Sequence, residues 1–248
     1  MSSCETLIRN SSVVDGSGGA PERLDVALRD GMICAMGASL RIDAQTVVDA
    51  EGRTLAPGFI DVHTHDDIAV LRKPEMLPKI SQGVTTVIVG NCGISSSPVQ
   101  LRGRLPDPMN LLGDADDFRY PSFSAYKRAI DEARPAVNVA ALIGHTALRN
   151  NYMDGLDRSA SDTEIQLMCA QLQEALDGGA LGLSSGLAYL SAYAATTEEV
   201  MVLAQPLAAA GAVYTTHMRT EGEAILDAMS EAFAIGRMAR VPVIVSHL

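Results

Sequence analysis

Residues 58–65 read Gly-Phe-Ile-Asp-Val-His-Thr-His, an apolar run ending in two histidines one residue apart. Alternate side chains of an extended segment face the same side, so His63 and His65 can reach one point. Neutral imidazole nitrogen is a favoured zinc ligand. Three further donors stand in comparable places: Cys92 follows GVTTVIVGN, His217 follows GAVYTT and His247 follows VPVIVS. All five fall at the ends of strand candidates, where barrel enzymes build their active sites. One tetrahedral zinc cannot use five donors. The set therefore points to two metal positions with one shared ligand, and Cys92 suits the sharing because a thiolate carries a full charge and several lone pairs.

Other polar residues near these points are assigned plainer work. His145, in LIGHTALR, is expected to be a hydrogen-bonded structural residue or a support to the ligands. Asp66 and Asp67 directly precede a helix candidate and read as capping and solvating groups. Tyr189, in GLSSGLAY, sits just past a strand candidate, where its hydroxyl could polarise a carbonyl or bind a carboxylate. Arg149 and Arg219 read as structural or solvated cations.

The elements that must position these groups follow from periodicity. From about residue 6 to 54, apolar and polar residues alternate in short runs broken by glycine, which predicts antiparallel strands and hairpins. After residue 55, short apolar runs alternate with helix-period segments. Strands are predicted at 58–62, 84–89, 137–143, 180–183, 212–215 and 241–245. Helices are predicted at 68–81, 123–133, 162–178, 197–210 and 221–239. Such alternation gives parallel strands covered by helices. The segment 93–121, rich in proline, glycine and serine, reads as a long loop over the strand ends. The expected domains are an N-terminal β-module at 1–55 and a barrel domain at 56–248. Six strand–helix units are visible, whereas a (β/α)₈ barrel has eight, so the chain is expected to be incomplete.

Composition narrows the function classes. The 248 residues are 47% hydrophobic and 20% charged, which suits a globular α/β protein. A formal net charge of −11 and the lack of any basic block argue against nucleic acid as partner. No apolar stretch approaches the ~20 residues of a membrane span. Cys4, Cys34, Cys92 and Cys169 are scattered, as reduced thiols of a cytoplasmic protein would be.

Read in order, GFIDVHTHDD, GVTTVIVGNCGIS, GHTALR, GALGLSSGLAY, YTTHMRTEG and VPVIVSHL make a series. In this series the chain resembles the D-aminoacylases, or N-acyl-D-amino-acid deacylases, of the amidohydrolase superfamily. The resemblance implies a TIM-like (β/α)₈ metal-dependent hydrolase barrel with a small N-terminal β-sandwich module. It also implies zinc-dependent hydrolysis of N-acyl-D-amino acids, small-molecule substrates, to a carboxylate and a D-amino acid. Cys92, His217 and His247 would hold a tight Zn²⁺, and His63 and His65 a weaker one that shares Cys92. Tyr189 would lie near the scissile amide or the substrate carboxylate. The family's general-base aspartate, on the eighth strand, and its carboxylate-binding lysine, shortly after the sixth-strand histidine, would fall beyond Leu248.

The nearest enzyme alternative is a cyclic-amide hydrolase of the dihydroorotase or hydantoinase type, which usually bridges its metals through a carboxylated lysine. No lysine follows Lys127, so the fourth strand cannot supply one. A further alternative, of another class, is a non-catalytic metal-binding fragment.

Overall fold

The computed structural model describes residues 3–247 and divides the chain into two compact units, Met1–Gly58 and Phe59–Leu248. The first unit is one five-stranded sheet built from β1 (Ser3–Val13), β2 (Glu22–Arg29), β3 (Met32–Gly37), β4 (Asp43–Asp49) and β5 (Thr54–Leu55). The hairpins β1–β2 and β2–β3 are antiparallel, as alternation and glycine turns predict. β4 and β5, by contrast, both run parallel to β1 along its other edge. This corrects the all-antiparallel expectation. Alternation fixes which face a side chain takes but says nothing about strand direction. Cys4, Leu7 and Ala27 are buried on one face with Ala35, Leu40, Ile42 and Ala44 packed against them, while Ile33 and Met36 remain exposed. The described residues thus supply one layer of the expected sandwich.

The second unit alternates strands and helices. β6 (Phe59–Asp61) leads to two short helices, α1 (Ala69–Arg72) and α2 (Leu77–Ile80), and then to β7 (Val84–Val89). α3 (Phe123–Ala133) precedes β8 (Asn138–Gly144); α4 (His145–Tyr152) and α5 (Asp162–Asp177) precede β9 (Gly182–Gly186). α6 (Leu190–Tyr193) and α7 (Thr197–Ala204) precede β10 (Val213–His217), and α8 (Ile225–Ala239) precedes β11 (Val243–Val245). The six strands pair in sequence order from β6 to β11, all parallel. This is the strand order of a TIM-like barrel wall, six parallel strands among the described residues. Val87, Val89, Ile143, Leu183 and Tyr214 from the strands bury against Met168, Leu172, Val200, Leu203 and Ile235 from the helices. No helix among the described residues is long and apolar enough to cross a membrane.

Three departures from the predicted helices matter for the site. The helix predicted at 68–81 is broken in two around Pro74, because the ring removes a donor and disfavours a helical residue before it. α4 lies in a stretch for which the sequence predicts no helix. Its residues from His145 to Asn151 are all buried although most are polar, so the sequence shows no apolar stripe to reveal helical period. α8 starts at Ile225, which leaves Glu221 in the turn after β10. The 93–121 loop is there as predicted, with its own small core of Ile94, Val99, Met109, Leu112 and Phe118 against Ile68 and Ala147.

Candidate metal centre

Parallel strands deliver their C-terminal ends to one rim, and the donors gather there. Cys92 Sγ lies 3.2 Å from His63 Nε2 and 3.8 Å from His247 Nε2. His247 Nε2 is in turn 3.1 Å from His217 Nδ1, and the two rings meet edge to face. Among the described residues, two sets of ligand atoms are close enough to share an ion: His63, Cys92 and His247, and His217, Glu221 and His247. His247 belongs to both. His65 belongs to neither, although its ring is 5.5 Å from that of His63, and its buried Nδ1 has no hydrogen-bond partner.

The sequence places the sulfur by a strained turn. Gly90, Cys92 and Gly93 all have φ between 54° and 79°. Glycine is required beside the cysteine: a Cβ on Gly90 would collide with the Leu142 carbonyl, and one on Gly93 would come within 2.5 Å of Gly186 N. Cys92 itself holds the left-handed conformation with a Cβ, a strain that persists only where the surroundings over-determine it. Ser184 from β9 provides part of that hold. Its Oγ accepts from Gly93 N at 3.0 Å and donates to Gly90 O at 2.5 Å.

The donor chemistry fits a soft divalent cation. Burial lowers the pKa of His63, His65 and His217, with positive neighbours adding to the effect, so the imidazoles stay neutral and keep their lone pairs free. Burial pushes the Cys92 thiol up to about 11, which a bound cation would offset by favouring the thiolate. Sulfur and imidazole together select zinc over magnesium or calcium. Glu221 also reaches this rim, although the sequence does not single it out. Its carboxylate lies 3.0 Å from His247 Nδ1 and 3.8 Å from His217 Nε2, so it can orient the His247 ring. The available signal was its position four residues after His217.

Tyr189 stands over the same rim, its Oη 3.2 Å from His217 Nδ1. Burial, with the charge of Cys92 nearby, pushes its phenol up to about 12, so it is a hydrogen-bond donor at neutral pH. Its segment is held from two sides. Arg149 Nε donates to Ser191 O, and Arg219 donates to Tyr193 O and Ala195 O. Both cations are spent structurally, Arg219 on Glu231 and Arg149 on Glu199, as expected for them.

His145 is wholly buried and its Nε2 lies 2.9 Å from Glu199 Oε1, which matches the structural reading. Burial lowers its pKa despite Glu199, so the ring is neutral and Arg149 carries the counter-charge. Burial alone would raise the Glu199 carboxyl, but His145 and Arg149 hold it at about 2. Both groups release protons on folding. His145 binds a proton in the unfolded chain from about pH 6.5 downward while the folded ring stays neutral, and Glu199 does the same between 4.5 and about 2. The melting temperature of the zinc-saturated protein should therefore fall progressively below about pH 6.5, followed by circular dichroism. A melting temperature unchanged down to about pH 5 would show that His145 charges within the fold.

Asp66 and Asp67 are not helix caps, which corrects that expectation: the residue at the N-terminus of α1 is Ile68, without a side-chain cap. Asp66 pairs with Lys79 at 2.9 Å. Asp67 is 1% exposed and turns inward, accepting from Gly90 N and Ser96 N.

The sequence profile of the amidohydrolase family matches residues 46–247. An N-acyl-D-aspartate deacylase from Alcaligenes xylosoxydans xylosoxydans is 48% identical over 242 residues, which cover 97% of this chain and 48% of that protein. The crystal structure of a D-aminoacylase superposes with a TM-score of 0.95 at 44% identity, over 98% of this chain and 51% of the other. An N-acyl-D-glutamate deacylase from Bordetella bronchiseptica, crystallised with zinc and a phosphonate mimic of the tetrahedral intermediate, gives 0.94 at 40% identity, over 99% and 51%. The chain spans about half the length of these relatives. It belongs to the amidohydrolase family.

Proposed function

We propose that the whole protein is a zinc-dependent deacylase that hydrolyses the amide bond of N-acyl-D-amino acids. The carrying observation is the rim itself: one thiol and three imidazoles within 3.1–3.8 Å steps of each other, on the fold of the D-aminoacylase. In this reading Cys92, His217 and His247 hold the tighter zinc, and His63 and His65 complete a second position that shares Cys92. Bound zinc supplies Lewis acidity at the amide carbonyl and acidifies a water for attack. Tyr189 donates its hydroxyl proton to the substrate carbonyl or carboxylate and so orients the amide at the rim. Asp66 and Asp67 are engaged with Lys79 and with backbone amides, so neither is assigned the proton transfers.

A lysine-bridged cyclic-amide hydrolase is disfavoured because β9, Gly182–Gly186, carries no lysine and Cys92 occupies the rim instead. A small-molecule substrate suits the acidic chain, and the four free thiols suit a cytoplasmic setting. The test is to incubate the full-length protein with N-acetyl-D- and N-acetyl-L-amino acids and measure free amino acid alongside metal content. Release of the D-enantiomer is expected, with roughly one to two zinc ions per chain, lost on chelation and restored by zinc. Turnover of hydantoins or dihydroorotate in place of linear amides would overturn the proposal.

A further inference from the structure

Asp67 has an unusual burden for a carboxylate. It is 1% exposed, and no ion pair neutralises it among the described residues. A buried carboxylate without a cation is expensive, so its retention calls for a specific use. Its two oxygens go to the two ends of one turn: Oδ2 accepts from Gly90 N at 3.2 Å and Oδ1 from Ser96 N at 3.1 Å. Cys92 lies between those ends, at φ 54°.

Two backbone donors that must both be met by one short side chain require two acceptors. A carboxylate is acceptor-only at both oxygens, whereas asparagine would turn an NH₂ toward one of the N–H groups. The carboxylate's charge also strengthens both bonds. The opposite end of the brace is fixed too, since Tyr126 Oη donates to Asp67 O at 2.7 Å and anchors it to α3. Asp67 follows His65 by two residues. One side chain thus links the segment carrying His63 and His65 to the turn carrying the sulfur.

We propose that Asp67 is a positioning residue that closes the turn 90–96 and so sets the Cys92 sulfur at its distance from His63 and His247; this rests on the reading of the rim as a metal centre. Its neighbours Asn91 and Ser184 hold the turn as well, but only Asp67 spans both ends. Asn91 Nδ2 donates to Ile88 O and Val62 O, and Ser184 reaches Gly90 and Gly93.

The test uses the full-length protein, stripped with a chelator and titrated with cobalt(II), whose thiolate charge-transfer absorption reports sulfur ligation directly. In the parent protein that absorption should appear; its absence there would refute Cys92 as a ligand, which is failure of the underlying reading and not of the brace alone. Asp67→Asn and Asp67→Ala, each checked for native far-UV circular dichroism, should bind cobalt about 10–100-fold more weakly, with the charge-transfer band reduced relative to the d–d bands. A merely structural role would lower the melting temperature and leave the band intact. Cobalt affinity within about twofold of the parent, with an unchanged band, in either folded variant would overturn the proposal. So would failure of both variants to fold, because the carboxylate would then serve the whole fold and not the turn.

Discussion

Cys92→Ala should give a folded protein that loses its tightest metal and with it almost all deacylase activity. The substitution is clean at this position. Alanine keeps the same Cβ in the same left-handed backbone, so the strain at φ 54° is unchanged and only the sulfur is removed. Structural zinc in four-ligand sites binds with about 10–16 kcal/mol, so one ligand of four carries roughly 2.5–4 kcal/mol, or about two to three decades of affinity. Activity should fall at least as far at limiting zinc and recover only partly when zinc is added in excess. Cys4→Ala, Cys34→Ala and Cys169→Ala are the controls. None of those sulfurs lies on the rim, and each variant should keep zinc and most turnover. Near-parental zinc content in Cys92→Ala, measured after mild chelation, would remove the thiolate from the centre.

His247→Ala is expected to be the most damaging of the histidine substitutions, because His247 alone is common to both sets of ligand atoms. Its side chain is 47% exposed, so truncation should hardly lower the melting temperature. His217→Ala removes a ligand of the tighter position and should weaken it by roughly two to three decades, by the same apportionment, whereas His63→Ala acts on the second position that shares Cys92. His65→Ala also acts on the second position, and because its ring lies outside both converged groups it should have a smaller effect on the tighter zinc. Isothermal titration of zinc into each stripped variant gives the order directly. A loss in His65→Ala as large as that in His247→Ala would mean that the rings move substantially when metal binds.

The six barrel strands and their order were legible because each is a short apolar run bounded by glycine or polar residues. The five candidate donors were legible for the same reason, since each stands at the end of such a run, although the structure gathers only four of them, Cys92, His63, His217 and His247, and leaves His65 outside both groups. What was hidden depends on burial and on partners distant in sequence. α4 leaves no helical stripe because it is buried on every side, and α8 starts four residues later than Glu221, a residue whose acid type suits a helix start equally well. Asp67 had the local look of a cap. Only the three-dimensional approach of Gly90 and Ser96 shows that its side chain is turned inward. The parallel pairing of β4 and β5 with β1 was likewise invisible, since alternation is identical in either direction.

The spread of the donors along the chain has a consequence for how such a protein matures. Cys92 is 29 residues from His63 but 155 from His247, so no local segment carries a usable site. In the unfolded chain, bringing donors so far apart to one ion adds a loop-closure cost that the folded barrel has already met, so a built rim binds the ion more readily than the unfolded chain does. For the metal centre as proposed, this favours an order in which the strands assemble first and the ion arrives at a rim already built. Cells starved of zinc would therefore accumulate a folded, empty protein rather than an unfolded one, and late delivery of the ion would switch that reserve on without new synthesis. Loading would then raise thermal stability in proportion to the logarithm of free zinc, a property of the finished fold and not of its making.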